Sequence, residues 1–96
     1  MRSSVAAAVG LAVTAAAVVA SAEPPAGAAG CTGCHATSTQ VQTPVPRLGG
    51  RDQAATVRAL QDFRSGARPG TVMDRIAKGF TDAEIQAIAA WFAGQK

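Results

Sequence analysis

Apolar residues return along the C-terminal third of the chain at intervals of three and four. Ile85, Ile88, Ala89 and Phe92 fall on one side of a helical wheel, Trp91 borders that side, and Gly94 stops the run. Thr81-Asp82-Ala83-Glu84 ahead of them is a capping-box pattern, and Phe80 stands before the cap, where a hydrophobic staple would pack on Ile85. Arg51 to Ser65 has the same periodicity. Ala54, Val57, Leu60 and Phe63 step by three, Arg51, Arg58 and Asp62 take the opposite side, and Gly66 closes the segment. Thr71 to Lys78 predicts a short helical turn ending at Gly79, reached through a loop at Ala67-Arg68-Pro69-Gly70. No stretch alternates β-branched residues for long enough to make a strand pair. The fold class is all-α, with three to four helices.

The N-terminal part has no such amphipathic pattern. Met1-Arg2-Ser3-Ser4 is a short positive start, Val5 to Val19 is uncharged and rich in alanine and valine, and Ala20-Ser21-Ala22 precedes Glu23-Pro24-Pro25. This is the pattern of a secretory signal, residues 1–22, cleaved after Ala22. A membrane span takes roughly 20 strongly apolar residues, so no stable span is expected. The mature chain is then a single domain, residues 23–96, in the periplasm. Within it, Pro25 to Ala36 predicts a short helix started by Pro24-Pro25 and weakened by Gly27 and Gly30. Thr37 to Gly50, with Pro44, Pro46 and Gly49-Gly50, has loop composition.

A domain of this size sits near the limit of about 70–80 residues below which side-chain burial alone seldom suffices. Its aromatics are only Phe63, Phe80, Trp91 and Phe92. Without Arg2, eight cationic side chains stand against six acids, and they are spread along the chain. Nucleic-acid binding needs a clustered basic patch with reading or stacking groups, and none is visible. The cations form a solvated surface or a docking face for an acidic partner.

Cys31-Thr32-Gly33-Cys34-His35 supplies the missing element. C-x-x-C-H is the covalent attachment pattern of a c-type haem. Each cysteine sulfur adds across a vinyl group, the spacing matches the two vinyls, and the adjacent imidazole reaches the iron. A thioredoxin-like reading needs a βαβ context, and a structural zinc needs four ligands where only three are present. The mature chain has no internal repeat, so it would carry one covalent haem c, whose apolar surface would complete the core. Cys31, Cys34 and His35 are the candidate cofactor-binding residues. Met73 is the candidate second axial ligand beside His35, being the sole methionine after signal removal in a chain with no second histidine. A lone methionine is commonly a core gap-filler, but Met/His ligation is the common arrangement when such a haem is present. Iron closed on both sides leaves no place for substrate, so the chain reads as a one-electron carrier without catalytic chemistry of its own. The Nδ1–H of His35 should meet a backbone carbonyl, from Pro44 or Pro46.

The order of signal peptide, C-x-x-C-H, proline-containing loop, helix, lone Met and C-terminal helix resembles the class I cytochromes c over the whole mature chain. That resemblance implies helices wrapped around one haem. Family members often carry an aromatic about a turn before the first Cys, packed on an aromatic of the last helix. Here the region is Ala26-Gly27-Ala28-Ala29, so the crossing is expected from Gly or Ala against Trp91 or Phe92. From about Arg47 to Lys96, the stretches Phe63-Arg64-Ser65-Gly66-Ala67-Arg68-Pro69-Gly70-Thr71-Val72-Met73 and Arg75-Ile76-Ala77-Lys78-Gly79-Phe80-Thr81-Asp82 look like the cytochrome subunit of flavocytochrome c sulfide dehydrogenase. They are similar also to small carriers of the c-553/c-554 type. The first resemblance implies an FAD flavoprotein sulfide dehydrogenase subunit as electron donor, and the second a diffusible carrier between a reductase and an oxidase. A third function, an enzyme or gas sensor, would need Met73 displaced.

Overall fold

The computed structural model describes residues 4, 6–13 and 23–95, and most of the expected signal peptide lies outside the described residues. Four helices follow in order: α1 Ala28–Cys31, α2 Gln53–Ser65, α3 Met73–Ala77 and α4 Asp82–Ala93. The described residues contain no strand, and none of their helices is long and apolar enough to cross a membrane. The all-α expectation holds.

The termini of α2 and α4 are set by their own side chains. Asp52 caps α2 by accepting from Ala55 N at 2.9 Å, and Gly66 ends it in the left-handed conformation, φ +84°. Thr81 Oγ1 accepts from Glu84 N at 3.2 Å while Glu84 Oε1 accepts from Thr81 N at 3.0 Å, which completes the capping box of α4. Between them, Arg64 donates to Phe80 O at 3.2 Å and pairs with Asp82, tying α2 to the start of α4.

The core is thin. Its buried cluster is Ala28, Val57, Leu60, Ala77, Ile85, Ile88, Ala89 and Phe92, so three of its eight members are alanine. All four residues expected on the apolar face of α4 are in it. Ile85 is the largest side chain fully enclosed. Truncating such a residue to alanine costs about 2–5 kcal/mol, a large share of the roughly 5–15 kcal/mol that a domain commands.

α1 is much shorter than Pro25 to Ala36. Gly27 sits at φ +89° before its first residue, a backbone conformation that no right-handed helix continues through. The same glycine also meets a close contact from elsewhere in the fold. A Cβ on Gly27 would lie 2.5 Å from Phe80 Cε1 and 3.5 Å from Ile88 Cδ1. A glycine thus makes a close approach onto Phe80 and Ile88, while Ala28 shares the buried cluster with Phe92. Phe80 packs on the buried cluster that includes Ile85, and its ring edge also reaches Gly27. At the other end of the fold, Gly50 N donates to Phe92 O at 2.9 Å, and Gly49 and Gly50 lie against Gln95. The long loop is thereby fastened to the end of α4.

The hydrogen bonds to Thr81, from the backbone first and the hydroxyl second, hold the Glu84 carboxyl below its ordinary value. Folding thus favours the carboxylate. Its stabilisation is complete above the unfolded value near 4.5 and is lost as pH falls through the lowered folded value. Glu84→Gln cannot titrate, so its melting temperature should fall less on acidification below pH 4.5 than that of the parent protein. Circular-dichroism melts of both proteins across that range check this, and parallel slopes would refute it.

A candidate haem-binding site

The C-x-x-C-H segment is a continuous helical turn. Thr32 N donates to Ala29 O and Gly33 N to Gly30 O, both at 3.3 Å, and Cys31 O accepts from Cys34 N at 3.2 Å and from His35 N at 2.8 Å. Thr32 Oγ1 adds a bond to Ala29 O at 2.7 Å. Residues spaced i, i+3 and i+4 on such a turn share a face, so the backbone alone brings Cys31, Cys34 and His35 together. Cys34 is exposed and Cys31 half-buried. The Cys31 thiol donates to Gly27 O at 3.6 Å. Burial pushes this thiol above its ordinary value, with a backbone hydrogen bond opposing, so it is held as the neutral thiol at neutral pH.

His35 is oriented by one decisive bond. Its Nδ1 lies 2.5 Å from Pro46 O. A carbonyl can only accept, so Nδ1 carries the proton and the neutral ring keeps its lone pair on Nε2, the arrangement of a metal-ligating imidazole. Pro46, of the two candidates, is the provider. The next residue holds that carbonyl in place: Arg47 donates to Thr37 O at 3.2 Å, closing the loop between them at its base.

Beside the imidazole is a cavity of about 80 Å³ lined by His35, Arg47, Leu48, Trp91, Phe92 and Gln95 among others. Arg47 Nε is buried there with no hydrogen-bond partner among the described residues. A bare cationic donor in an enclosed site is costly unless an anion answers it. A haem carries two propionates, so this orphaned donor fits the group. Arg47 was not singled out from the sequence, although its place next to Pro46 in the loop was a usable signal.

Met73 is the first residue of α3, half-buried, and its segment is fixed by the bonds of Arg75 N and Ile76 N to Val72 O at 3.0 and 3.1 Å. Met73 and Cys31 both pack on the central apolar cluster, together with Leu48, Phe63, Phe80 and Trp91. Beside Met73, Val72 and Ile76 are 55% and 41% exposed, an unusual position for large aliphatic residues in a chain so short of core. A thioether, a correctly protonated imidazole, two nearby thiols and spare apolar surface suit an iron porphyrin. Among the described residues no three His, Cys, Asp or Glu side chains gather closely enough to hold a bare ion.

Comparison with known proteins gives the same direction. No protein-family model matches the chain. It is 42% identical over 62 residues to the cytochrome subunit of sulfide dehydrogenase from Chlorobaculum tepidum, a match covering 65% of this chain and 56% of that protein. It is 36% identical over 70 residues to cytochrome c4 of Azotobacter vinelandii, covering 67% of this chain and 33% of the relative. With cytochrome c-554(548) of Halomonas halodenitrificans it shares 31% identity over 70 residues, covering 69% of this chain and 84% of the relative. The chain thus spans about half the length of the sulfide dehydrogenase subunit and a third of cytochrome c4.

Arg47→Leu removes both the tie to Thr37 and the orphaned cation. It should destabilise the haem-loaded protein by about 1–3 kcal/mol, read from the midpoint of denaturant unfolding. An unchanged midpoint would mean that the loop holds Pro46 beneath His35 without it.

Proposed function

The chain belongs to the class I cytochromes c, c-type electron carriers, and we propose that it works through one covalent haem c on residues 23–96. Cys31 and Cys34 are the thioether sites, and His35 and Met73 the axial ligands. The bond from His35 Nδ1 to Pro46 O carries this reading, because it leaves Nε2 with the lone pair that iron binds. The bound group supplies reversible one-electron chemistry at its iron, and a Met/His pair raises its reduction potential.

The chain's own residues do the rest. Pro46 O fixes the imidazole tautomer and makes His35 a stronger donor. Arg47 answers a propionate. Met73, held at the start of α3, would serve as the second ligand beside His35 and keep exogenous ligands away. Both residues sit in hydrogen-bonded backbone, which would hold them in place in either oxidation state of the group.

The donor in this proposal is a flavoprotein subunit that oxidises sulfide, supported by the 42% identity to the cytochrome subunit of sulfide dehydrogenase. Residues 1–22 are removed on export, and the mature protein acts in the periplasm. A second reading, a diffusible carrier between a reductase and an oxidase, is favoured by the match along 84% of cytochrome c-554(548).

Two variants test the site. Met73→Ala should keep the haem covalently attached, lose the red charge-transfer band of methionine-bound ferric iron and lower the reduction potential; an unchanged spectrum would refute the ligand assignment. Cys31→Ala with Cys34→Ala should release all haem into acidified acetone and leave a chain too poor in core to fold stably. Purification from periplasm distinguishes the donors. A copurifying flavoprotein whose removal stops reduction by sulfide supports the first, and association rates that fall steeply with salt and need no such subunit support the second.

A further inference from the structure

We propose that Phe63 and Gly70 form a clamp that positions Met73, an inference that rests on the reading of Met73 as a ligand. The loop between α2 and α3 folds back along the last turn of α2 and is fastened there at successive points. Gly66 N donates to Phe63 O at 3.4 Å, Ser65 Oγ donates to Asp62 O at 3.2 Å and accepts from Ala67 N at 3.3 Å, and Arg68 N donates to Asp62 O at 3.1 Å. The side chains then close on one ring. The Arg68 guanidinium carbon stands 4.8 Å from the centroid of Phe63, and Gly70 lies against the ring's edge.

Gly70 is needed for space and not for backbone conformation, since its φ is not among the positive ones. A Cβ there would sit 2.9 Å from Phe63 Cε1, 3.2 Å from Phe63 Cδ1 and 3.4 Å from Asp74 N. Phe63 cannot simply swing away, because it packs on the buried cluster on one side and carries Arg68 on another. Only Thr71 and Val72 separate Gly70 from Met73. Any push at Gly70 is passed along that short tether, and Asp74 N, which the same Cβ would crowd, is the next residue after Met73. Phe63 therefore sets how far the thioether reaches. Neither residue touches the iron in this assignment; both act through Met73.

The test is imidazole titration of the ferric, haem-loaded protein, followed by the loss of the methionine charge-transfer band. Apparent affinity for an outside ligand scales with the fraction of molecules whose iron is open. Gly70→Ala should raise imidazole affinity about tenfold, and Phe63→Leu should raise it as well. In the double variant the smaller side chain leaves room for the new Cβ, so the two effects should fall well short of additive. If Gly70→Ala lowers the melting temperature but leaves imidazole affinity and the band unchanged, the glycine is merely structural and the clamp is overturned. Additive effects in the double variant would also overturn it. Should Gly70→Ala fail to accumulate, Phe63→Leu alone decides, with unchanged imidazole affinity the refuting result. A parent protein that lacks the band and binds imidazole as tightly as Met73→Ala would instead refute the ligand reading, and the clamp would fall with it.

Discussion

The apolar face of α4, made by Ile85, Ile88, Ala89 and Phe92, is the surface on which the other segments rest. Val57 and Leu60 of α2 join it in one buried cluster, α1 reaches it through Gly27 at Ile88, and the long loop is bonded to it where Gly50 N meets Phe92 O. Cys31, in the C-x-x-C-H turn, and Met73, far along the chain, both pack against the same cluster. A core this small has little redundancy. Removing even one methyl group, as in Ile→Val, costs about 0.5–1.5 kcal/mol, and the same change would shift segments that bear the proposed ligands.

Electron carriers of this family work by changing charge without changing shape, and the chain meets that demand with backbone as much as with side chains. His35 is held by its own helical turn and by Pro46 O. The segment of Met73 is held by the carbonyl of Val72 behind it and by the folded loop ahead of it. Backbone bonds of this kind are difficult to lose by point substitution, whereas the side chains around them can vary.

What could be read from the sequence follows a physical division. The capping box at Thr81 and Glu84, the stop at Gly66 and the apolar face of α4 depend on residues within one or two turns, and the local pattern exposes them directly. The C-x-x-C-H turn is local in the same sense. The misread parts were long-range. α1 is shorter than its pattern predicts, with Gly27 left-handed ahead of it, and the fit of Gly27 against Phe80, 53 positions away, leaves no local signal. The choice of Pro46 over Pro44 depends on how Arg47 closes the loop onto Thr37. The fit of Gly70 to Phe63 leaves no trace in either residue's immediate neighbourhood.

The contact between Gly27 and Phe80 also links two positions across evolution. Together they fill one fixed volume where the chain entering α1 meets the residue ahead of the α4 cap: a bare backbone on one side and a six-membered ring on the other. A bulky residue at 27 with phenylalanine kept at 80 overfills that space, and a small residue at 80 with glycine kept at 27 leaves a void. Both single steps are unfavourable, and a smaller residue at 80 would still leave any side chain at 27 strained by its φ of +89°, so position 27 is held to glycine and position 80 to a ring that fits against it.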